Sequence, residues 1–459
     1  MSEKYPDSIS PRHLGPKIIV TPPGPRALEL LVEEGNFASP SFVKHLAKMV
    51  WSEGHGALVS DVDGNVYVDF TSGIAVTNVG HSHPKVTRAI QDQAGKLINC
   101  YDFPHSLRSR LLRNLCAITP GKFEKQALLL SGGGEAVGAA LRLARVHKNA
   151  FEILSFHGGF YGRGLDTAAV TGERKYKRGV GPTMPGVLHA PYGYCYRCTF
   201  KQEYPSCDFY CVEYIDRVLE SESTGSVAAL IVEPIQGAGG YVVPPDGYLR
   251  RLASFCKERD IIMIVDEIQT GFGRTGKLFC SEYEKVEPDI TTLGKGIANG
   301  VPMSAVVARK DIMQAWRPGE MSSTYGGNPL SCAASLATIE VLLEERLAEN
   351  AMKVGMQILR RLEEMRSRHE LIGDVRGRGL MIGVELVKDR TTKKPAGEEA
   401  EEIISRIFRR GVLMVPSGWS NHVLRVAPPL VISAELADKA LEILDEEIRV
   451  VEREKPLRR

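Results

Sequence analysis

Short apolar runs that alternate with helical patterns are the feature of this sequence that most constrains its fold. Each run has four to six residues, too few for an isolated helix, and most are aliphatic or β-branched throughout. Such runs are typical of strands buried on both faces of a parallel sheet. Because helical patterns such as "GEAVGAALRLARVHK" and "GYLRRLASFCKERD" lie between several of them, the sequence predicts an α/β fold with a mostly parallel sheet and right-handed crossovers. The runs are "ALLL" (127–130), "EILSF" (152–156), "VAALIV" (227–232), "IIMIV" (261–265), "DITTL" (289–293) and "MSAVVA" (303–308).

The character of the sequence changes at two places, which predicts three segments. Residues 1–84 include a Pro/Gly-rich stretch, "GPKIIVTPPGPRA", that we expect to run extended, and "ALVSDVDGNVYVDF", a predicted hairpin around Asp-Gly-Asn. Residues 85–335 carry the α/β pattern, with a cysteine-rich insertion at 192–212. Residues 336–459 predict a smaller α+β domain. A long helical stretch (331–369) runs into it and leads to "LMIGVELV" and "HVLRVAPPLVI". Because chain ends often meet, we expect the N-terminal segment to join this domain.

Composition and charge argue against several classes of protein. A chain of 459 residues with 43% apolar and 25% charged residues is ordinary for a globular protein and long enough for two or three domains. A net charge of +2 gives no basic field for nucleic acid, and the basic tail "REKPLRR" is interpreted as a solvated terminus. No apolar stretch approaches the roughly 20 residues that span a bilayer, and the start, "MSEKYPDSISPRHLGPK", lacks a signal-peptide pattern. We expect a cytoplasmic protein that binds neither nucleic acid nor membranes.

Polar features follow several predicted strands at their carboxyl ends, where ligands of open parallel sheets bind. In "LLLSGGGEAVGAALRLAR", Gly133 and Gly134 stand between a strand and a helix. Backbone N–H groups at such a helix N-terminus can cradle a phosphate, and the alternative is a tight strand-to-helix turn. Asp266, which ends "IIMIVD", is either a helix cap or a buried functional carboxylate.

Two further features are an aromatic loop and a lysine. The loop "FHGGFYGRG" offers an aromatic ring at Phe160 and a cation at Arg163, or it is only a glycine-rich turn with packed aromatics. Lys295 stands between two glycines in "TTLGKGIANG". It is either a solvated loop residue or a desolvated lysine with a lowered pKa, which can form a Schiff base with a carbonyl group.

Together these features meet the needs of one cofactor, pyridoxal 5'-phosphate. Its aldehyde needs a lysine, its phosphate needs a helix N-terminus, and its ring needs an aromatic face. Its pyridinium nitrogen needs a carboxylate that keeps it protonated, so that the ring can act as an electron sink. The glycines on both sides of Lys295 would then leave room for the cofactor to approach the amine.

These motifs make the sequence resemble the class III aminotransferases, which are pyridoxal-phosphate enzymes of fold type I. It is similar to 4-aminobutyrate and ornithine aminotransferases. The resemblance runs from "DVDGNVYVDFTSGIAV" to "LRVAPPLVIS", and its longest motif is "IIMIVDEIQTGFGRTG…PDITTLGKGIANGVP". It implies a large domain with a mostly parallel, seven-stranded type of sheet and a smaller α+β domain built from both chain ends.

The resemblance implies roles for the residues around the cofactor ring. Lys295 would hold the cofactor as an internal aldimine and move the substrate proton. Asp266 would pair with the pyridine nitrogen. Gln269 would approach the ring hydroxyl, and Phe160 would stack on the ring.

The resemblance also implies residues for the phosphate and the substrate. Gly133 and Gly134 would give backbone N–H groups to the phosphate. Thr324, in "SSTYGGNP", would reach the phosphate of the neighbouring subunit's cofactor, which implies a homodimer with shared sites, or a tetramer. Arg425, in "VLRVAPPL", would grip a substrate α-carboxylate by a bidentate contact. Arg163 would bind the distal carboxylate of an acid such as 2-oxoglutarate.

Two departures from the family pattern bear on the activity. The phosphate loop reads "SGGGEAVG", with Gly134 where the family usually has a larger residue, but backbone N–H groups still form the cradle. In "EPIQGAGG", Ala238 takes the place of the glutamate that masks the α-carboxylate arginine in 4-aminobutyrate and ornithine aminotransferases. Some racemases of the family carry an aspartate there, which Ala238 does not supply either.

The expected activity is that of a pyridoxal-phosphate-dependent aminotransferase. It would take the amino group of an amino acid, with a 4-aminobutyrate or ω-amino acid type favoured, and pass it to a keto acid such as 2-oxoglutarate. One alternative is an amino-acid racemase or epimerase of the same family. A weaker one is a decarboxylating enzyme of the dialkylglycine type, which "IGDVRGRGLMIGVELVKDRTTKKPA" resembles but "TYGGNP" does not. A non-catalytic binding protein is the alternative from another class, and intact Lys295 and Asp266 argue against it.

Four of the nine cysteines cluster outside the common family pattern, in "YCYRCTFKQEYPSCDFYC". The spacing of Cys195-x2-Cys198 and Cys207-x3-Cys211 resembles a metal site, although it matches no standard zinc finger. The cluster is interpreted as a structural metal or iron–sulfur centre, as one or two disulfides, or as four free thiols.

Overall fold

The computed structural model of the protein describes residues 15–42 and 48–454. Residues 1–14, which make up most of the start without a signal-peptide pattern, lie outside it. Residues 455–459 of the basic tail also lie outside it. Among the helices of the described ranges, none is long and apolar enough to cross a membrane.

Internal contacts divide the described chain into two units: Pro84–Glu349, and the residues up to His83 together with those from Asn350. The strands, numbered in chain order, are β1 (Trp51–His55), β2 (Leu58–Asp61), β3 (Val66–Asp69), β4 (Lys125–Leu130), β5 (Glu152–Phe156), β6 (Val187–Ala190), β7 (Val227–Val232), β8 (Ile262–Asp266), β9 (Ile290–Leu293), β10 (Ser304–Arg309), β11 (Ile372–Arg378), β12 (Met381–Asp389), β13 (Lys394–Pro395), β14 (Val412–Leu413), β15 (Val415–Ser417) and β16 (Val423–Val426). The helices are α1 (Pro25–Phe37), α2 (Ser72–Ala75), α3 (Pro84–Ala94), α4 (Ser106–Ile118), α5 (Gly133–Lys148), α6 (Leu165–Val170), α7 (Tyr210–Glu222), α8 (Tyr248–Glu258), α9 (Lys310–Met313), α10 (Pro329–Glu344), α11 (Leu347–Arg368), α12 (Gly397–Arg409) and α13 (Ala434–Glu454). Short 3-10 helices lie at Arg174–Tyr176, Cys195–Arg197, Cys280–Glu284 and Lys295–Ile297.

A seven-stranded sheet forms the centre of the unit Pro84–Glu349, in the order β4-β10-β9-β8-β7-β5-β6. The strands from β9 to β6 are parallel, and β10 runs antiparallel to both of its neighbours. The six predicted apolar runs all form strands, so the predicted α/β fold with a mostly parallel sheet is confirmed. β6 has no counterpart among the predicted strands, because "VLHA" is short and carries a polar residue in its middle.

Alternate residues of a central strand face two different cores, which explains why the strand is apolar throughout. On β8, Ile262 and Ile264 pack in the core that contains α5. Met263 and Val265 pack in the core that contains α7 and α8. Full burial of such a side chain stabilises the fold by roughly 1.5–3 kcal/mol. Helices therefore cover both faces of the sheet, as the crossover pattern predicts.

The other unit contains two further sheets, β1-β2-β3-β14 and β11-β12-β16-β15, with β13 paired to β12. β2 and β3 pair antiparallel with Leu58 opposite Val68, so the predicted hairpin around Asp-Gly-Asn is confirmed. β14 pairs in parallel with β3, and Val412 lies opposite Val68. Strands from the N-terminal and C-terminal parts of the chain therefore share one sheet.

The helices differ from the sequence pattern in two places. The helical stretch 331–369 forms two helices, α10 and α11, because Arg346 between them has a φ of 53°, in the left-handed region that ends a helix. No proline or glycine marks this break, so helical periodicity runs through it. α1 has no counterpart among the predicted elements. It begins at Pro25, and the Asp63 carboxylate caps it by accepting two N–H groups of its first turn at 2.9 and 3.0 Å.

A buried histidine joins the end of α11 to α13. His369 is 2% exposed, with Nδ1 2.7 Å from Glu452 Oε2 and Nε2 2.7 Å from Asp445 Oδ1. Arg368 and Arg449 also contact Asp445. Burial disfavours the charged imidazolium and lowers the pKa of His369, but the hydrogen bonds to the two carboxylates outweigh it. The pKa of His369 is therefore raised above its ordinary value of 6.5.

We predict that His369→Gln destabilises the protein more at pH 6 than at pH 9. Because the folded-state pKa is raised, the stabilisation is fully present below about pH 6.5 and is lost as the pH rises through the pKa of folded His369. The expected loss at pH 6 is about 1–3 kcal/mol of unfolding free energy, measured by urea denaturation. His55→Gln, at an exposed histidine, is the control and should change little. Equal losses at both pH values would contradict the prediction.

Candidate active site

Three adjacent strands of the seven-stranded sheet lead into charged residues at the same edge. β7 is followed by Glu233, β8 ends at Asp266, and β9 leads into Lys295. β8 is paired in parallel with both β7 and β9, so the carboxyl ends of the three strands lie side by side. The structure therefore brings Asp266 and Lys295 to one edge of the sheet, where ligands of such sheets bind.

Lys295 has an unusual backbone conformation. It opens the 3-10 helix Lys295–Ile297 and is half-buried. Its φ is 45°, in the left-handed region, which is uncommon for a residue with a side chain and is often found at functional sites. A Cβ on Gly294 would lie 3.2 Å from Ile268 Cγ2, so a larger residue before the lysine would crowd the turn after β8. These features distinguish Lys295 from a solvated loop residue.

Asp266 is a buried carboxylate that performs a local structural role and still lacks a full countercharge. It is 4% exposed, and its Oδ1 accepts the N–H of Ile268 at 2.9 Å. Burial raises the pKa of Asp266 to about 6, and the charge of Lys295 offsets only part of this effect. Burying a carboxylate costs free energy unless it is paired. A cationic ring nitrogen beside Asp266 would recover part of that cost and favour the ionised form.

The glycine loop between β4 and α5 ends in a helix N-terminus that can bind an anion. α5 begins at Gly133, and the first N–H groups of a helix have no acceptor inside it. Glu135 Oε2 accepts two backbone N–H groups of the preceding loop at 2.8 and 3.0 Å, which orders the loop. A Cβ on Gly133 would lie 3.2 Å from Ile268 Cδ1, so glycine lets α5 approach the turn after β8. The first turn of α5, with Gly133 and Gly134, fits a phosphate.

The aromatic loop is attached to the site through its backbone. The N–H of Phe160 donates to Glu233 Oε1 at 2.9 Å. The half-buried ring of Phe160 packs on Tyr176 with ring centroids 4.6 Å apart. Arg163 is exposed, and its guanidinium lies 5.4 Å from the centroid of the same Tyr176 ring. Tyr176 carries no signal in the sequence, and only the structure brings it against both predicted residues.

Glu233 is a site residue that sequence reasoning missed. It is 6% exposed, and its Oε2 accepts the N–H of Gly237 at 2.9 Å. A Cβ on Gly237 would overlap Oε1 of Gln269, so a larger residue at this position would displace the Gln269 amide. Gln269 in turn donates through Nε2 to Tyr241 Oη at 3.2 Å. The signal for Glu233 was present, because this residue ends the run "VAALIV" as Asp266 ends "IIMIV".

Thr324 and Arg425 lie away from these strand ends in the chain. Thr324 is exposed in the loop before α10. Arg425 is half-buried on β16 in the other unit, opposite Gly383 of β12 and Val415 of β15. The phosphate and carboxylate contacts expected for these two residues stay predictions.

The four clustered cysteines line one cavity of about 20 Å³. None of the candidate active-site residues at the strand ends, in the glycine loop or in the aromatic loop lines this cavity. Cys195, Cys198, Cys207 and Cys211 are all free thiols. Burial and then the neighbouring thiols raise the pKa of Cys211 to about 12, so it is a neutral thiol in the metal-free protein. Among the described residues, no group of three or more histidine, cysteine, aspartate or glutamate side chains is placed to hold a metal ion. The structure does not support the metal or iron–sulfur interpretation of the cluster.

The residues at the strand ends fit pyridoxal 5'-phosphate. Lys295 offers an amine for the aldehyde, and Asp266 offers a buried, incompletely neutralised carboxylate for the ring nitrogen. Gly133 and Gly134 offer the N–H groups of a helix N-terminus for the phosphate, in a loop where a larger residue at 133 would be crowded. Phe160 offers a partly exposed aromatic face for the ring.

Comparison with known proteins agrees with this chemistry. Residues 40–448 match the family Aminotransferase class-III. The alanine/serine racemase of Pyrococcus horikoshii is 39% identical over 95% of this chain and 93% of its own length. The probable 4-aminobutyrate aminotransferase of Bacillus subtilis is 38% identical over 86% of this chain and 92% of its own. The crystal structure of the ornithine aminotransferase from Toxoplasma gondii has a TM-score of 0.83 at 30% identity, covering 94% of this chain and 96% of its own. The chain therefore belongs to the class III aminotransferases, pyridoxal-phosphate enzymes of fold type I.

Proposed function

We propose that this protein is a pyridoxal-phosphate-dependent aminotransferase with 4-aminobutyrate or another ω-amino acid among its donors. The acceptor would be a keto acid such as 2-oxoglutarate. The observation that carries the proposal is the position of Asp266 and Lys295 at the ends of adjacent parallel strands, in a chain of the class III family.

The residues of the site would divide the work as follows. Bound pyridoxal phosphate would supply an electron sink for the bond that breaks at the amine-bearing carbon of the substrate. Lys295 would hold the cofactor through its aldehyde and, once replaced by the substrate amine, would move the proton of that carbon. Ionised Asp266 would keep the ring nitrogen cationic. The N–H groups of Gly133 and Gly134 would hold the phosphate, and Phe160 would cover one face of the ring.

The proposal extends to substrate carboxylates, assembly and location. Arg163 and Arg425 would bind the carboxylates of the amino and keto acids, which the family resemblance supports. The protein would act in the cytoplasm as a homodimer, or a tetramer, in which Thr324 serves the neighbouring subunit's cofactor. The exposure of Thr324 in the loop before α10 supports this role, because an exposed side chain is accessible to a second subunit.

A second candidate function is amino-acid racemisation on the same scaffold. The observation that favours it is the 39% identity to an alanine/serine racemase over most of both chains. Racemisation needs proton exchange on both faces of the substrate carbon. Lys295 would act on one face, and a second acid or a water molecule on the other.

An absorbance titration tests the proposed function. Single amino donors are added, without a keto acid, to the purified protein saturated with pyridoxal phosphate. The panel contains 4-aminobutyrate, ornithine, β-alanine, and both enantiomers of alanine, glutamate and leucine. We expect the visible absorbance of the bound cofactor to disappear, with formation of pyridoxamine phosphate, for at least one ω-amino donor. Lys295→Ala is the control and should not catalyse this conversion.

The other outcomes of this titration discriminate between the functions. If the absorbance persists while an added amino acid loses its optical activity, the protein is a racemase. If pyridoxal phosphate added to the wild-type protein gives no bound-cofactor absorbance, the cofactor assignment is wrong.

We predict that the affinity for pyridoxal phosphate falls below about pH 6. Burial raises the pKa of Asp266 to about 6, so its carboxyl group is ionised above that pH and protonated below it. Because a protonated Asp266 does not hold a cationic ring nitrogen, the Kd should rise about tenfold between pH 7 and pH 5, as measured by tryptophan fluorescence. Asp266→Asn should bind weakly at both pH values.

The matched control for Asp266 is its neighbour Glu267, which is also buried. Its carboxylate accepts hydrogen bonds from Ser281 and Thr270 and holds the loop after β8. Glu267→Gln should keep a pH dependence of cofactor binding, with a slightly lower midpoint because the charge of Glu267 contributes to the raised pKa of Asp266. An Asp266→Asn protein with the wild-type pH dependence would show that other groups cause it.

Ala238→Glu tests the effect of the missing gate. Because Ala238 lacks a carboxylate, L-alanine or L-glutamate should react with the wild-type protein at least as readily as 4-aminobutyrate. Introducing the glutamate should raise the ratio of kcat/KM for 4-aminobutyrate to that for L-alanine about tenfold, or about 1.4 kcal/mol. Ala238→Gln has the same size without the charge and should not. A strong wild-type preference for the ω-amine would contradict the expected effect of Ala238.

A further inference from the structure

Glu233 is a buried carboxyl group of the site to which the proposed function gives no role. It directly follows β7 and begins the loop 233–242, which also carries Ala238. Tyr192 Oη donates to the backbone carbonyl of Glu233 at 2.9 Å, and its ring lies in the core beside α7 and α8. The backbone that presents the Glu233 side chain is therefore held to a packed part of the fold.

The two oxygens of Glu233 hold two different loops. Oε1 accepts the N–H of Phe160 in the aromatic loop at 2.9 Å. Oε2 accepts the N–H of Gly237 in the loop 233–242 at 2.9 Å. Hydrogen bonds to an ionised carboxylate are stronger than those between neutral groups. The position of the Phe160 backbone relative to the loop that carries Ala238 therefore depends on one buried side chain.

The titratable groups around Glu233 are two charged side chains and two tyrosine hydroxyls. Burial and then the negative charge of Asp266 raise the pKa of Glu233 to about 8, while two backbone N–H groups and the ammonium of Lys295 partly oppose this. Burial also raises the pKa values of the Tyr161 and Tyr192 hydroxyls far above 10.0, so both stay neutral. The charges that Glu233 shares the site with are therefore those of Asp266 and Lys295.

We propose that Glu233 is a positioning residue of the active site with two effects. Through its two backbone contacts it holds the aromatic loop against the loop 233–242, and through its charge it sets the pH at which the cofactor attached at Lys295 loses its proton. This inference rests on the proposed function, because it needs pyridoxal phosphate in the site. Positive charge on the bound cofactor favours the ionised form of Glu233, and the ionised carboxylate stabilises that charge in turn, so removing the carboxylate lowers that pH.

Two variants distinguish the effect of the charge of Glu233 from the effect of its side-chain length. Glu233→Gln removes the charge and turns an amide N–H₂ toward one of the backbone donors. Glu233→Asp keeps the charge but is one methylene shorter, so it does not span both N–H groups. The readouts are the visible absorbance of the bound cofactor between pH 6 and pH 10, and the visible circular dichroism that reports how the ring is held, both without substrate.

The expected results differ between the variants. Glu233→Gln should lower the midpoint of the absorbance change by about half a pH unit or more. Glu233→Asp should keep the wild-type midpoint and lose most of the cofactor circular dichroism. Glu267→Gln is the matched control for loss of a buried, hydrogen-bonded carboxylate, because it contacts the loop after β8 and neither Phe160 nor Gly237. It should lower thermal stability and leave both cofactor signals unchanged.

Each part of the proposal would be overturned by a different result. A wild-type midpoint in Glu233→Gln, or an equal shift in Glu267→Gln, overturns the effect of the Glu233 charge. Unchanged circular dichroism in Glu233→Asp overturns the proposal that Glu233 holds the aromatic loop against the loop 233–242. A wild-type protein that shows no bound-cofactor absorbance overturns the proposed function and this inference with it. Cofactor absorbance that responds to amino donors but not to these substitutions overturns the inference alone.

Discussion

The burial of two carboxyl groups beside one lysine is the interaction on which the site depends. Asp266 and Glu233 end adjacent strands, and burial raises their pKa values to about 6 and about 8. Neither would stay in this position without compensation. Lys295 supplies positive charge to both, and backbone N–H groups of Ile268, Phe160 and Gly237 supply hydrogen bonds. A cationic ligand at this point is the remaining component that the arrangement favours.

The sheet makes this concentration of polar groups possible. Residues of β8 alternate between two helix-covered cores, so the strand is held on both faces up to its last residue. Neighbouring parallel strands end at the same edge, and the chain leaves each of them with a polar side chain. The N-terminus of α5 comes close to the turn after β8 because Gly133 has no side chain to meet Ile268. The strands therefore fix the relative positions of the polar residues, and the segments that follow the strands carry the reactive side chains.

Proteins similar to this chain carry names of more than one activity. Relatives named as aminotransferases and as a racemase resemble this chain to nearly the same degree. The presence of Asp266 and Lys295 therefore does not by itself discriminate between these activities. Phe160 and Ala238 stand in the two loops that the side chain of Glu233 joins by hydrogen bonds.

The sequence by itself determined six strands of the seven-stranded sheet, the α/β fold, and the placement of Gly133, Asp266 and Lys295 after strands. Each of these is a local pattern: an apolar run whose length and composition suit a buried strand, followed by a polar or glycine residue. Only the tertiary structure decided that Glu233 joins the loop of Phe160 to its own loop, because the two residues are 73 positions apart. It likewise decided the packing of Tyr176 and the state of the cysteine cluster. These features depend on the distances between side chains from separate segments, which no local periodicity records.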